Sequence, residues 1–196
     1  MDKTNKGFHI DQISTDVTLL SFMTAVCMFF NGLLLTKFDS FDLFIKIPIS
    51  FLIISTLGFL FSSIMLANAS SLVLKEKFEK AEWQILWGLV ISEYIGIYIF
   101  VISIPLIINV ISTDLYLRVV TLCASLAGLS FYQFGGFSLL QNHFPKTHKI
   151  YSVLSIIFGL ILFFAQIKQI YFVETSIAFI IFILVTTVFA PSKRFQ

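Results

Sequence analysis

The sequence predicts an all-α, polytopic integral membrane protein with about six transmembrane helices, forming a single domain over residues 1–196. Composition is the first observation behind this fold class. Of the 196 residues, 58% are hydrophobic and 12% are charged, and the mean hydropathy of +0.95 lies outside the range of soluble globular domains. The second observation is that the apolar residues form runs long enough to cross a hydrocarbon core about 30 Å thick.

The predicted spans follow one another through short polar connections. The first run is longer than a signal-peptide core and has no small-residue cleavage site behind it, so we expect it to remain in the protein. The last two runs are near the minimum length for a span, and a re-entrant hairpin is the competing interpretation for that pair. The approximate spans are 17–36, 49–74, 85–111, 116–140, 150–167 and 175–190.

The orientation follows from the basic residues in the connections, because cytoplasmic loops carry an excess of Lys and Arg. With six spans, nine basic residues fall on the side that holds both ends of the chain, and four fall on the other side. Those four are Lys37, Lys46, Arg118 and Lys168. We therefore expect both termini to be cytoplasmic and the protein to lie in the cell membrane, which in a bacterium is the inner membrane.

This topology can be checked by cysteine accessibility. With an impermeant thiol reagent, single cysteines at positions 6, 78, 146 and 193 should react from the cytoplasmic side, and those at positions 40 and 114 from the other side. Reaction of positions 146 and 193 from opposite sides would show that the last pair of spans is misassigned.

Glu93 is the residue in this sequence that most directly suggests a function. It is a lone carboxylate within the third predicted span, about 8 residues or about 12 Å from Ile85. A charged group at the bilayer centre costs about 2.5 to 3.5 kcal/mol on insertion scales, so such residues usually face the protein interior and are often functional. Gly88, Ser92 and Gly96 follow a spacing of four, which is typical of close helix packing.

The fourth span supplies the expected neighbours of Glu93. If the third and fourth spans form an antiparallel hairpin about position 113, equal offset places Gln133 level with Glu93, with Tyr132 beside it. Arg118 lies near the turn and is too far away to neutralise the carboxylate. The candidate ligand or ion pathway therefore comprises Glu93, Gln133, Tyr132, Tyr94 and Ser92.

The segment Lys75–Trp83 is the second candidate site. Its charges alternate in sign, and Lys75 and Glu79 are four residues apart, as are Glu76 and Lys80. A solvated extension of the third helix explains this pattern, and a docking surface for a cytosolic protein is the alternative. The docking residues would be Lys75, Lys77, Lys80 and Trp83.

The sequence lacks the residues that several other functions require. The sequence contains no HExxH, GxSxG, Walker A or glycine-rich dinucleotide motif, so we expect no enzyme activity and no cofactor. The net charge of +2 is too small for a nucleic-acid partner. Cys27 and Cys123 lie in separate spans, and the spacing of His143 and His148 around Pro145 does not suit a metal site, so we expect none.

Three classes of function remain open. The first is a channel or transporter for a cation, a proton or a small polar solute that uses Glu93. The second is a membrane subunit that anchors or signals to a cytosolic partner, for example a small membrane component of a bacterial antiviral defence system. An intramembrane enzyme is the third, although the sequence contains none of the catalytic motifs named above. Small-residue stripes on several spans also favour a homo-oligomer in the lipid bilayer.

Overall fold

The computed structural model describes residues 10–144 and 150–189, and every regular element in these ranges is helical. A 3-10 turn, Phe38–Ser40, links the first two helices. Within the described residues, six helical stretches are long and apolar enough to cross a membrane, so the predicted all-α multi-pass class is confirmed. The elements are α1 Ile10–Leu35, α2 Leu43–Leu74, α3 Phe78–Ile91, a π-helical segment Ser92–Tyr98, α4 Ile99–Ile111, α5 Leu115–Phe134, α6 Leu139–His143, α7 Ile150–Lys168 and α8 Phe172–Phe189.

The third span, Phe78–Ile111, is one continuous helical stretch made of α3, the π-helical segment and α4. It begins seven residues before the start expected at Ile85, because the polar residues after Phe78 also favour a helix and a helix need not end where the hydrocarbon ends. Glu93 consequently lies about 22 Å from the start of the helix and about 27 Å from its end, close to its midpoint.

The fourth predicted span, 116–140, is interrupted. Helix α5 ends at Phe134, and the short helix α6 starts at Leu139. Between them, Gly136 has a φ of +83°, a left-handed conformation that glycine adopts at little cost and that commonly follows a helix C-terminus. The break therefore has a local cause in the Gly135–Gly136 pair, and it redirects the chain back toward the third span.

The remaining span limits differ from expectation by a few residues. Asp42 caps α2, because its side chain accepts a hydrogen bond from the Ile45 N–H at 3.1 Å, and α2 therefore starts before Pro48. Helices α7 and α8 are uninterrupted, and the connection between them contains Gln169 and Tyr171, both with positive φ. Each is about 27 Å long or slightly more, which favours a full crossing over a re-entrant hairpin.

The centre of the bundle is the contact between α2 and the third span. A Cβ atom added to Gly58 would lie 2.9 Å from the backbone nitrogen of Gly96, and one added to Gly96 would lie 2.6 Å from the Phe59 ring. The two backbones therefore approach as closely as glycine allows. Helix α1 packs on α2, α5 and α7 pack on α4, and α8 packs on α7 and touches the π-helical segment.

Three linkers lie together at one end of the bundle. Asp42 and Gln169, from two of them, line one crevice together with Arg118, whose side chain donates to the Ser112 carbonyl in the third. We call this end of the bundle the three-linker end; it comprises residues 36–42, 112–114 and 169–171. The linker 75–77 lies between the second and third spans, at their other ends.

The glycine contact predicts how stability responds to added volume. Gly58→Ala should destabilise the protein by about 1 to 3 kcal/mol, because the new methyl group meets backbone that cannot move aside. Gly128→Ala is the matched control, since nothing lies within 4 Å of a Cβ at that position in α5. Thermal unfolding of both variants in detergent tests the contact, and an equal midpoint for the two would contradict it.

Candidate functional site

Glu93 lies in the first turn of the π-helical segment and is 1% exposed, although the surrounding stretch of helix is apolar. A π-helical turn widens the helix by one residue and occurs mostly as short segments, frequently at functional sites. Within the described residues, no Lys, Arg or His forms an ion pair with the Glu93 carboxylate; its neighbours are neutral. The carboxyl group is thus enclosed by protein and depends on hydrogen bonds.

Ser138 supplies the main hydrogen bond to Glu93. Its hydroxyl donates to Oε2 of the carboxylate at 2.5 Å, and Ser138 itself is fully buried. The same oxygen of Ser138 accepts the Gln141 N–H at 3.2 Å and so caps α6. The Leu140 backbone amide also lies beside the carboxyl group. The start of α6 is therefore attached to the third span through Glu93.

Tyr132 completes this attachment from the end of α5. Its hydroxyl accepts the Leu139 N–H at 3.1 Å and also lies beside the Glu93 carboxyl group. The neighbouring Gln133 is 1% exposed, and its side-chain oxygen accepts the Tyr98 hydroxyl at 3.1 Å. Two polar side chains of α5 thus contact the third span at the level of the π-helical segment.

Tyr94 and Tyr98 form the side of the candidate site that faces α7. Their rings stack with centroids 5.7 Å apart and an interplanar angle of 18°, and both are at most 1% exposed. Ser152 of α7 is fully buried, and its hydroxyl lies beside the two phenols. The site therefore continues from the carboxylate into a polar, tightly packed contact with α7.

The structure brings together four of the five residues proposed for the pathway: Glu93, Tyr94, Tyr132 and Gln133. Ser92 is buried, but its hydroxyl donates to the Leu89 carbonyl of its own helix at 2.9 Å. Gln133 lies against Tyr98 instead of Glu93, so the expected pairing is displaced and Ser138 takes the position beside the carboxylate. Equal offset about position 113 assumes two regular α-helices, and the π-helical segment between Glu93 and the turn violates that assumption. The break after Phe134 then brings Ser138 to the carboxylate.

Ser138 is not among the pathway residues predicted from the sequence, although a local sequence pattern indicates its role as a helix cap. Ser138-Leu139-Leu140-Gln141 has the S-x-x-Q spacing of a capping box, and it follows two glycines. Together these features are typical of a helix end followed by a new helix start. A capping pattern inside an apolar run thus predicts both the interruption of the span and the position of the capping serine.

The second candidate site, at Lys75–Trp83, lies on the surface. Lys75, Lys77, Lys80 and Trp83 are all exposed. Glu76 has a φ of +57° in the turn before α3, so the expected pairing of Lys75 and Glu76 with residues four positions later along one helix does not apply. The segment is a tight turn followed by the first turns of α3. Trp83 and Trp87 are neighbours there, with ring centroids 6.0 Å apart.

The described residues hold no group of three or more His, Cys, Asp or Glu side chains suited to a metal ion. His148 and Pro145 lie outside the described residues. Comparison of the chain with protein-family models, with curated proteins and with solved structures finds no match. The fold and the buried site therefore define a multi-pass membrane protein with an intramembrane carboxylate, and any finer function must be argued from that site.

The hydrogen bond between Ser138 and Glu93 predicts a measurable cost of removing the hydroxyl. Ser138→Ala should destabilise the protein by about 1 to 3 kcal/mol, because a buried carboxylate loses its donor and α6 loses its cap. Ser130→Ala is the control, since that hydroxyl bonds only to the Leu126 carbonyl in its own helix. Thermal unfolding in detergent compares the two, and equal effects would show that the bond contributes little.

Proposed function

We propose that this protein is a membrane transport protein, a channel or transporter that moves a proton, another cation or a small polar solute along a path that includes Glu93. The observation that supports this proposal is a carboxylate, 1% exposed, at the junction of a π-helical segment and a broken span. In transporters, discontinuous helices commonly form the binding site near the middle of the membrane. Ionisable residues inside membrane spans commonly mark ion pathways and proton relays.

The closed surroundings of Glu93 favour a transporter over a permanently open channel. Ser138, Leu140 and Tyr132 lie against the carboxyl group, and the Tyr98 and Gln133 pair lies beside them. A solute reaches the carboxylate only if these contacts open. Opening of this kind is the gating step of alternating access, whereas a channel presents a continuous polar path.

The fourth span supports the proposal of a homo-oligomer. Among the six described spans it is both the least apolar and the least buried. Lipid chains offer no hydrogen bonds, so a less apolar surface is better covered by protein than by lipid. Ala124 and Gly128 lie exposed on α5 and allow a second helix to approach closely. We assign a second copy of this chain to that surface, with both termini on the cytoplasmic side as the basic residues indicate.

The alternative function, a membrane subunit that binds a cytosolic protein, is favoured by one feature. Lys75, Lys77, Lys80 and Trp83 are exposed at a tight turn, where three cations and an indole form an accessible surface. Glu76 and Glu79 are also exposed among these lysines, so the surface suits a partner that carries charges of both signs. It requires no movement at Glu93, so the two functions can be separated experimentally.

Flux through reconstituted protein tests the role of Glu93. Liposomes containing the protein and a pH-sensitive dye, with an imposed proton or sodium gradient, should show flux above that of protein-free liposomes. Glu93→Gln should reduce this flux to the protein-free level while the fold persists, because the amide oxygen still accepts from Ser138 but cannot take up a proton. Glu174→Gln makes the same substitution at an exposed site and should leave the flux unchanged.

Two results would contradict the transport proposal: wild-type protein without flux, and Glu93→Gln protein with full flux. Stable co-purification of a soluble protein that is lost on Lys77→Glu and Lys80→Glu would instead favour the docking function. Light scattering of the same detergent sample measures its mass, and a monomer at all concentrations would exclude the proposed homo-oligomer.

A further inference from the structure

A polar crevice lies at the three-linker end, far along the third span from Glu93. Its cavity volume is about 210 Å³, and it is lined by the start of α2, the end of α4, the first turns of α5 and the end of α7. Two other grooves on the described residues, one beside Leu52 and Phe100 and one beside Phe51 and Ile180, are lined almost entirely by apolar side chains. The crevice differs from them in its chemistry, because polar and charged side chains surround it: Asp42, Asn109, Arg118, Gln166 and Gln169.

Two buried amides form the floor of the crevice. Asn109 is 6% exposed and Gln166 is 3% exposed, and the Asn109 Nδ2 donates to the Gln166 Oε1 at 3.0 Å. The Gln166 Nε2 donates in turn to the Leu106 carbonyl at 3.1 Å, which fixes the orientation of both amides. The Asn109 Oδ1 is left buried without a hydrogen-bond partner among the described residues. An unsatisfied buried oxygen is costly, so this floor lacks one donor.

Two opposite charges flank this floor. One oxygen of Asp42 accepts the Ile45 N–H at 3.1 Å, and the Arg118 Nε donates to the Ser112 carbonyl at 2.6 Å. Each side chain is thus held by a backbone group, while the second oxygen of Asp42 and the four remaining N–H groups of Arg118 have no partner among the described residues. Within the same residues, no ion pair joins Asp42 to Arg118.

We propose that this crevice binds a small zwitterion that carries a primary ammonium group and a carboxylate or phosphate. The ammonium group lies between Asp42 and the Asn109 Oδ1, and the anionic group receives two N–H donors from Arg118. Because the Asn109 oxygen is covered in the structure, binding includes a small shift of that amide toward the crevice. The inference concerns binding at the three-linker end and does not depend on the role of Glu93.

A zwitterion fits this site better than a single ion of either sign. A lone cation would be attracted to Asp42 but repelled by Arg118, and a lone anion would be attracted to Arg118 but repelled by Asp42. The cavity is smaller than the pockets that hold drug-sized ligands, which limits the bound group to a small one. Two sources share the required chemistry: a free amino acid and the headgroup of phosphatidylethanolamine.

The N–H donors of the ammonium group provide a sharp control. Glycine and dihexanoyl phosphatidylethanolamine both carry N–H groups, whereas their trimethylated counterparts, betaine and dihexanoyl phosphatidylcholine, keep the charge and lose the donors. Titration calorimetry on delipidated protein in detergent compares the four compounds. At least one N–H compound should bind, and its trimethylated counterpart should bind at least about tenfold more weakly, since hydrogen bonds to charged groups are the strong ones.

Conservative variants locate the site. Asp42→Asn keeps an oxygen to cap α2, and Arg118→Gln keeps a donor for the Ser112 carbonyl, so both should fold while removing one charge. Each should weaken binding by about tenfold or more. Asn31→Ala is the matched control, because Asn31 is also a buried asparagine with an unpartnered Oδ1 among the described residues. Its Nδ2 donates to Thr56 of the neighbouring helix, and it does not line the crevice.

The outcomes assign the source or overturn the proposal. Binding of glycine without phosphatidylethanolamine identifies a free solute as the ligand, and the reverse identifies a lipid headgroup. Absence of binding by both N–H compounds overturns the proposal, as does equal binding of the trimethylated compounds. A loss of affinity in Asn31→Ala as large as that in Asp42→Asn also overturns it, because the effect would then not come from the crevice.

Discussion

The hydrogen bond from Ser138 to Glu93 is the interaction on which the architecture of this half of the protein depends. Inside a bilayer no water is available, so each buried polar group needs a partner from the protein. The break between α5 and α6 frees backbone groups, and the Leu139 and Gln141 N–H groups find partners in Tyr132 and Ser138. The carboxylate in turn finds a donor because the break brings Ser138 to it. The break in the fourth span therefore provides the hydrogen-bond donor that the buried carboxylate needs, and the carboxylate holds the start of α6 in place.

The fold class could be predicted because it depends on bulk composition over long stretches. A span requires about 20 apolar residues, and no soluble arrangement of helices uses so many such runs. The limits of the helices were less predictable. Phe78–Ile111 extends beyond its apolar run because hydropathy marks contact with lipid, while helix formation continues through Glu79 and Lys80. The interruption after Phe134 was missed because the residues around it remain apolar.

The site was partly predictable for a related reason. Glu93 is conspicuous in any sequence window because a charge in an apolar run is rare. Its partner could not be found by counting residues along two ideal helices, since the π-helical segment and the glycine turn both alter the register. The capping spacing at Ser138 carries that information locally. The wide turn at Ser92–Tyr98 is different, because no comparable local signal marks it in the sequence.

The two faces of the π-helical segment differ in how tightly they are held, and this difference limits the motion that can reach Glu93. On the face toward α2, Gly58 and Gly96 bring two backbones into direct contact, and displacement there would open voids across the core. On the face toward α5 and α6, the contacts include side-chain hydrogen bonds from Ser138 to Glu93 and from Tyr98 to Gln133. Helix α5 is mostly exposed along its length. A movement that uncovers the carboxylate therefore separates α5 and α6 from the third span, while α2 and the third span stay together as the fixed part of the bundle.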